Sequence, residues 1–282
     1  MLGRKHDGDY RAMPAYLEAL DEAALKFVGV YPKNPLAHGL PLVMGVVLYI
    51  EPKTGRCLSV MEARWLTAMR TGASGGVGVK YLSRPDSRIV GIYGAGVQAR
   101  TQLMALCEVR KIDEVRVYDI IPGKAKAFAE EMGKKIGVMI KPVENPQEAA
   151  EKCDIIISAT PSRKPIVMDD WIEPGTHINA LGADALGKQE LDPSILKRVK
   201  VVVDDVEQAI HGGEVNVPIS QGIISRKDIY GEMAEVVLGH KPGRTSDDEI
   251  TVFDSTGLVI HDVIIAGLIY RGAKELKIGV TI

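Results

Sequence analysis

Apolar and polar residues alternate with a period of two over much of the first sixty residues. This alternation is typical of strands that bury one face, and residues 51–55 (Glu-Pro-Lys-Thr-Gly) form a good hairpin turn between two of them. The predicted strands are residues 9–13, 25–31, 43–50 and 57–61. We therefore predict an antiparallel sheet at the start of the chain.

The apolar spacing becomes helical after residue 62. Residues 62–69 and 73–82 predict two helical segments, with Arg70 at the junction between them. Four glycines weaken the helix propensity here and indicate close packing against another backbone: Gly72, Gly75, Gly76 and Gly78.

From residue 88 onward, short apolar runs alternate with helical patterns. The predicted strands are residues 88–93, 114–118, 154–158, 177–181, 199–203 and 249–253, and helices are predicted near 122–136, 147–152, 192–197 and 227–238. Such alternation is typical of a doubly wound parallel sheet. Residues 257–273 predict a long helix that returns to the first domain. The fold class is therefore α/β, with domains at 71–257 and at 1–70 plus 258–282.

The strand at 88–93 runs directly into Gly94-Ala-Gly-Val-Gln-Ala99. Gly94 allows a tight turn, Gly96 lets the backbone approach a pyrophosphate, and Ala99 lets helix and strand pack closely. A glycine-rich turn alone also occurs for geometric reasons. Here the strand before it, the helix after it and an acid at the end of the next strand agree, which predicts a Rossmann dinucleotide-binding domain.

Asp119 is that acid, directly after the predicted strand at 114–118. An acidic residue about 20 positions beyond the glycines binds the ribose 2′-hydroxyl in such folds, and it would repel a 2′-phosphate. The predicted cofactor is therefore NAD rather than NADP.

Composition excludes several classes of partner. The net charge is −2, and 26% of the 282 residues are charged, without a basic stripe for nucleic acid or an anionic membrane. No apolar run reaches transmembrane length and no leader pattern is seen at the start, so a cytoplasmic location is expected. Cys57, Cys107 and Cys153 lack metal-ligand spacing and are expected to be small buried residues. His177 and His211 do not pair either, and no metal is predicted.

Four polar residues outside the glycine turn are candidates for chemistry. Lys26 interrupts an apolar strand, where it either snorkels at a sheet edge or points into a cleft that would lower its pKa. Arg70 either clamps a carboxylate or pyrophosphate or forms an ordinary salt bridge. Asp184 and Thr160 follow predicted strands, at the sheet edge where doubly wound folds bind ligands. A helix cap and a Thr-Pro turn are the respective alternatives.

Nine stretches of the sequence form a recognisable set of motifs: residues 11–14, 25–28, 32–35, 66–71, 94–99, 160–162, 177–180 with 182–184, 187–190 and 253–257. In this order they resemble the ornithine cyclodeaminase and mu-crystallin family, and within it the archaeal alanine dehydrogenases. The similarity covers nearly the whole chain.

The resemblance implies a role for each candidate. Lys26 and Asp184 would be catalytic, which replaces the snorkelling interpretation, and Arg70 would reach both substrate carboxylate and cofactor phosphate. Cofactor contacts would fall on Arg70, Gly94, Gly96, Val97, Gln98, Asp119, Ile120, Thr160, Gly182, Lys188 and Ser255. The resemblance also implies a homodimer that pairs the sheets of the smaller, non-Rossmann domain.

The residue type at position 11 helps to distinguish a cyclodeaminase from a dehydrogenase within the family. A cyclodeaminase has a glutamate at this position, which suits the second amine of a diamino acid, whereas an arginine would repel it. Arg11 is thus a candidate for binding a substrate carboxylate, with an exposed strand arginine as the alternative. The expected activity is reversible NAD-dependent oxidative deamination of L-alanine to pyruvate and ammonium.

Three other activities stay open. These are an ornithine cyclodeaminase, a ketimine reductase, which is disfavoured because Asp119 should repel NADPH, and a non-catalytic, crystallin-like ligand binder. Relative to the family, the chain also starts late, so a first helix and strand with a basic substrate-binding residue are expected to be absent unless Arg4 or Lys5 serves.

Overall fold

The computed structural model describes residues 8–280, which leaves Arg4 and Lys5 outside the described residues. The strands are β1 (Asp9–Leu17), β2 (Glu22–Val30), β3 (Val43–Ile50), β4 (Cys57–Glu62), β5 (Ile89–Tyr93), β6 (Glu114–Tyr118), β7 (Met139–Pro142), β8 (Ile155–Ser158), β9 (His177–Ala180), β10 (Lys200–Val203), β11 (Ile229–Glu232) and β12 (Thr251–Asp254). The helices are α1 (Asn34–Ala37), α2 (Ala63–Leu82), α3 (Val97–Val109), α4 (Lys124–Ile136), α5 (Val206–Gly212), α6 (Asn216–Ser220), α7 (Met233–Val237) and α8 (Val259–Leu276).

The chain divides into two compact units, Met1–Arg70 with Leu258–Ile282, and Thr71–Gly257. The first unit is built on an antiparallel sheet in the order β1-β2-β3-β4, as predicted. Helix α8 packs on this sheet, and their shared core contains Ala24, Val47 and Val263.

The opposite face of this sheet carries large apolar side chains that are exposed in the single chain. Phe27 on β2 and Val46 on β3 are directly opposite each other, with exposed fractions of 44% and 41%. Tyr10 and Tyr16 on β1 belong to the same face. Strands alternate their side chains between the two faces, so this apolar face is a consequence of the sequence pattern.

The second unit contains a parallel sheet in the order β11-β10-β12-β9-β8-β5-β6-β7. This is the predicted doubly wound arrangement. Apolar residues are buried in two large clusters, one of which includes Ile92, Leu103 and Phe128 from β5, α3 and α4. Because all neighbouring strands are parallel, their carboxyl ends meet at one edge.

Helix α2 is continuous, so the prediction of two segments with Arg70 at a junction was wrong. A methyl group at Gly72 would lie 2.6 Å from the carbonyl oxygen of Thr101, and one at Gly75 would lie 1.8 Å from Gln102 Oε1. The glycines therefore permit close packing against α3, as predicted, and do not interrupt the helix.

Four further local predictions were wrong. Residues 147–152 and 192–197 contain only single 3-10 turns, Gln147–Ala149 and Ile195–Lys197. Residues 227–238 form the edge strand β11 and the short helix α7 instead of one helix. The prediction that all three cysteines are buried was wrong for two of them. Cys57 is exposed because it begins the edge strand β4, and Cys107 is only half-buried.

Among residues 8–280, no helix is both long enough and apolar enough to cross a bilayer.

Candidate active site

Lys26 lies on the inner face of the first unit's sheet and is 1% exposed. The alternation along β2 places it on the face with Ala24 and Val28, which α8 covers. Its Nζ lies 2.5 Å from Oδ2 of Asp262, a fully buried residue of α8. The snorkelling alternative is therefore wrong for Lys26.

Arg70 binds the same carboxylate. Its Nε donates a hydrogen bond of 3.0 Å to Oδ1 of Asp262, so one buried acid contacts two basic side chains. Arg70 therefore forms a salt bridge, as the alternative from the sequence held, but a buried one within the first unit instead of a surface or interdomain one.

The environment of Lys26 lowers its pKa. Burial, followed by the charge of Arg70, lowers the pKa of Lys26 to about 8, although Asp262 acts in the opposite direction. An amine with a pKa near the working pH can both accept and donate a proton, which an ordinary lysine does poorly.

Arg11 lies on the same face of the sheet as Lys26. It is paired across the strands with Val28, is half-buried, and donates a hydrogen bond of 2.7 Å from Nε to Asp9 Oδ2. Its charge contributes to lowering the pKa of Lys26. Its side chain is 31% exposed, so the binding of a substrate carboxylate by Arg11 stays a prediction.

Sequence reasoning missed Asp262 and its neighbour His261. The signal that could have revealed Asp262 is a charged residue on the apolar stripe of α8, next to Val263 and one turn before Ala266. Burial, followed by the charge of Arg70, lowers the pKa of His261, and its buried Nδ1 lacks a hydrogen-bond partner in the described part of the chain.

In the second unit, the glycine turn lies between β5 and α3. Gly94 has a φ of +92°, and a methyl group there would come within 2.8 Å of the carbonyl oxygen of Ala159. A methyl group at Gly96 would meet nothing within 4 Å, which leaves open space before the amino end of α3. Buried Gln98 Oε1 has no partner among the described residues, and Val97 is 45% exposed. The open space and the N–H groups at the amino end of α3 fit a pyrophosphate.

Asp119 connects this turn to the end of β6. Its Oδ2 accepts a hydrogen bond from the Ala95 N–H and its Oδ1 accepts one from the Ile121 N–H, each 2.8 Å long. A carboxylate has about four acceptor sites, so both oxygens can accept further hydrogen bonds from a ribose. Ile120 beside it is 84% exposed.

The remaining cofactor candidates follow the carboxyl ends of β8, β9 and β12 at the same sheet edge: Thr160, Gly182, Lys188 and Ser255. Lys188 Nζ lies 2.5 Å from Asp184 Oδ1, and Ser255 donates a hydrogen bond to Asp204. Residues 181–194 contain no helix, so Asp184 is not a helix cap. The Thr-Pro turn considered for Thr160 is present, because its hydroxyl accepts a hydrogen bond from the Ser162 N–H.

Glu190 was also missed. Its two oxygens accept hydrogen bonds from the N–H groups of Thr160, at 2.7 Å, and Gly182, at 2.9 Å, so one carboxylate fixes the loops after β8 and β9. Burial raises the pKa of Glu190. The neighbouring Glu214 carboxylate accepts hydrogen bonds from the N–H groups of Glu190 and Leu191. Burial and the charge of Glu190 raise the pKa of Glu214 well above its usual value.

The histidine candidates have ordinary surroundings. Both ring nitrogens of fully buried His177 lie 2.9 Å from polar oxygens, those of Thr251 and Asn179, while His211 lies in the last turn of α5. The described residues contain no group of three or more histidine, cysteine or acidic side chains placed to hold a metal ion.

Comparison with known proteins agrees with this architecture. An alanine dehydrogenase of Archaeoglobus fulgidus is 49% identical over 275 residues, which are 96% of this chain and 83% of that protein. The solved structure of an archaeal alanine dehydrogenase dimer with bound NAD matches with a TM-score of 0.92 at 48% identity, covering 98% of this chain and 84% of that one. The Δ1-pyrroline-2-carboxylate reductase of Thermococcus litoralis, solved with NADH and L-proline, matches with a TM-score of 0.97 at 48% identity, covering 99% and 86%. The model of the ornithine cyclodeaminase/mu-crystallin family matches residues 1–277, and the chain belongs to this family.

Proposed function

We propose that this protein is an NAD-dependent amino-acid dehydrogenase that converts L-alanine, NAD and water reversibly to pyruvate, ammonium, NADH and a proton. The observation that carries the proposal is Lys26, a buried lysine with a pKa of about 8 that shares the carboxylate of Asp262 with Arg70. The 49% identity to the alanine dehydrogenase of A. fulgidus supports the choice of substrate.

We infer NAD as the cofactor from the turn after β5. The open space at Gly96 and the amino end of α3 suit a pyrophosphate, and Asp119 suits a ribose with a free 2′-hydroxyl. Val97, Ile120, Thr160, Gly182, Lys188 and Ser255 are the further contacts proposed. When bound, NAD supplies the acceptor for the hydride that leaves the substrate α-carbon.

Arg70 and Arg11 would bind the substrate carboxylate. Arg70 contacts Asp262 through Nε, which leaves its two terminal nitrogens for a bidentate contact with a carboxylate. Such a contact fixes the α-carbon, and correct positioning of the reacting atoms contributes much of the acceleration in hydride transfer.

Lys26 and Asp184 would move protons. Lys26, as the neutral amine, accepts the proton of the substrate ammonium group, and it returns a proton to the nitrogen that leaves after water has added to the carbon. We assign activation of that water to Asp184, whose carboxylate is held by Lys188.

A second candidate activity is reduction of a cyclic imino acid to an amino acid such as L-proline. The 48% identity and TM-score of 0.97 to the T. litoralis reductase favour it. Asp119 does not speak against a reductase of this kind. The T. litoralis reductase is solved with NADH, which lacks the 2′-phosphate that Asp119 would repel. Both reactions move a hydride to or from a carbon that bears nitrogen and a carboxylate.

The apolar face of the first unit's sheet is our proposed homodimer interface. Phe27, Val46 and Tyr10 are large, apolar and exposed in the single chain, and the archaeal alanine dehydrogenase of similar structure is a dimer. Exposed apolar patches of this kind mark sites of association.

The test is a panel of substrates, with the formation or consumption of NADH measured by its absorbance for each one. Formation of NADH from NAD with L-alanine, and its consumption with pyruvate and ammonium, is the expected result. Faster consumption of NADH with Δ1-pyrroline-2-carboxylate than with pyruvate and ammonium would establish the second candidate instead. Release of proline from L-ornithine without net change in NADH would establish a cyclodeaminase and overturn the weight given to Arg11.

A further inference from the structure

Two basic side chains in the first unit depend on one carboxylate. Asp262 Oδ2 lies 2.5 Å from Lys26 Nζ, and Asp262 Oδ1 lies 3.0 Å from Arg70 Nε. The side chains are 2%, 0% and 9% exposed for Lys26, Asp262 and Arg70, so water solvates these charges little. A buried charge that loses its partner is strongly destabilised.

The surroundings of Lys26 are otherwise positive or neutral. Arg70 on α2 and Arg11 on β1 both lower the pKa of Lys26 by charge repulsion. His261 on α8 has its pKa lowered by burial and by Arg70, so its imidazole is neutral near pH 7. Of these neighbours, Asp262 alone offers Lys26 a negative charge.

We propose that Asp262 is a positioning residue for the reaction, whose carboxylate fixes Lys26 Nζ and Arg70 Nε relative to each other and balances the charge of Lys26 while it is buried and protonated. This inference rests on the proposed proton-transfer role of Lys26. The carboxylate thus links the group that moves the proton to the group that binds the substrate carboxylate.

Removal of the Asp262 carboxylate should lower the pKa of Lys26. Without the carboxylate, protonated Lys26 would be buried beside Arg70 and Arg11 with no opposite charge among its described neighbours, so it would release its proton at a lower pH. An opposite charge at this distance shifts a pKa by about 1–3 units, so the expected displacement is large enough to measure.

The experiment is a titration of Lys26 by NMR in full-length protein labelled with 13C at lysine Cε. The Lys26 signal is assigned by its loss in Lys26→Met, and in the parent it should titrate with a midpoint of about 8. In Asp262→Asn, which keeps the side-chain shape, the midpoint should fall by about one unit or more. The matched control is His261→Gln, which changes the adjacent residue without removing a charge and should leave the midpoint in place.

An unchanged midpoint in Asp262→Asn would overturn the proposal, as would an equal fall in His261→Gln. If Asp262→Asn does not fold, Asp262→Glu is titrated instead. It keeps the negative charge and should titrate near the parent, and a fall of a unit or more in that variant would count against the proposal.

Kinetics separate this proposal from the proposed function. The rising limb of kcat/KM against pH should move with the NMR midpoint, for whichever substrate of the panel the parent turns over. A purely structural Asp262 would lower kcat without moving the limb, which would overturn the inference. A parent that turns over no substrate would refute the proposed function, while the NMR midpoints would still decide the role of Asp262.

Discussion

At the scale of the residue, Lys26→Met tests the proton-transfer role most directly. The thioether keeps most of the buried volume of Lys26 but cannot exchange a proton. We expect kcat/KM to fall by about 100-fold or more, the range found for general acid–base groups, while the dissociation constant of NADH changes by less than about twofold. Steady-state kinetics and NADH fluorescence titration measure the two quantities.

Lys53→Met is the matched control, because Lys53 is an exposed lysine on the turn between β3 and β4. It should retain the activity of the parent. If Lys26→Met stayed within about tenfold of the parent, Lys26 would not be the group that moves the proton.

Asp119 gives a prediction about cofactor choice. Its carboxylate contacts the turn through the Ala95 and Ile121 N–H groups and would face the 2′ position of a bound ribose. Asp119→Asn removes the negative charge and retains an acceptor, so the ratio of kcat/KM for NAD to that for NADP should fall by about tenfold or more, or about 1.4 kcal/mol. Asp113→Asn, an exposed acid just before β6, is the control, and an equal fall there would contradict the assignment.

Site residues could be predicted from the sequence where a local pattern marks them, and could not be predicted where their role depends on contacts between residues far apart in the sequence. Lys26 and Asp119 could be found because each interrupts or ends a local pattern. Asp262 could not, because its importance comes from a contact with residue 26, more than two hundred positions away, which exists only after α8 has packed on the sheet. Glu190 was missed for the same reason, since it binds loops that follow two different strands.

At the scale of the element, Glu190→Gln should loosen the loops after β8 and β9 together. The amide offers a donor where a carboxylate oxygen now accepts, so either the Thr160 or the Gly182 N–H loses its partner in a buried site. Such a loss costs about 1–3 kcal/mol. We expect the melting temperature to fall by several degrees and NADH to bind more weakly.

Glu173→Gln serves as the control, because Glu173 is exposed in the same unit, and it should change neither quantity. A lower melting temperature for Glu190→Gln with unchanged NADH affinity would mean that Glu190 stabilises the fold without arranging the proposed cofactor loops. Differential scanning calorimetry and fluorescence titration supply the two measurements.

The sequence patterns predicted ten of the twelve strands in residues 8–280, including several of only four residues, and missed the two edge strands of the parallel sheet, β7 and β11. The strands from β1 to β4 and the helix α8 extend over enough residues for their period to be distinct. Strand β11 has four residues and lies at the sheet edge, directly before the one-turn helix α7, so its pattern merges with a helical one. In α2, the glycines were ambiguous, because close packing and helix termination require the same residue type.

At the scale of the whole molecule, the order of strands explains why distant motifs converge. Gly94, Asp119, Thr160 and Ser255 follow four strands of one parallel sheet, so their positions at a common edge follow from the predicted topology. This part of the candidate site was predictable without any knowledge of side-chain contacts. The apolar face of the other sheet also follows from the alternation of side chains along its strands. Whether a second chain covers this face cannot be predicted from that alternation.

Val46→Glu tests the proposed dimer at the centre of that face. Val46 lies opposite Phe27 on the neighbouring strand, so a glutamate there would be buried without an opposite charge in a homodimer formed through this face. We expect the parent to have about twice the chain mass of 30.6 kDa by light scattering, and Val46→Glu to have the mass of one chain. Leu238→Glu, which alters a residue 68% exposed in the other unit, should remain dimeric. A Val46→Glu variant that dimerises as tightly as the parent would show that this sheet face is not the interface, and the exposed Phe27 and Tyr10 would then need another explanation.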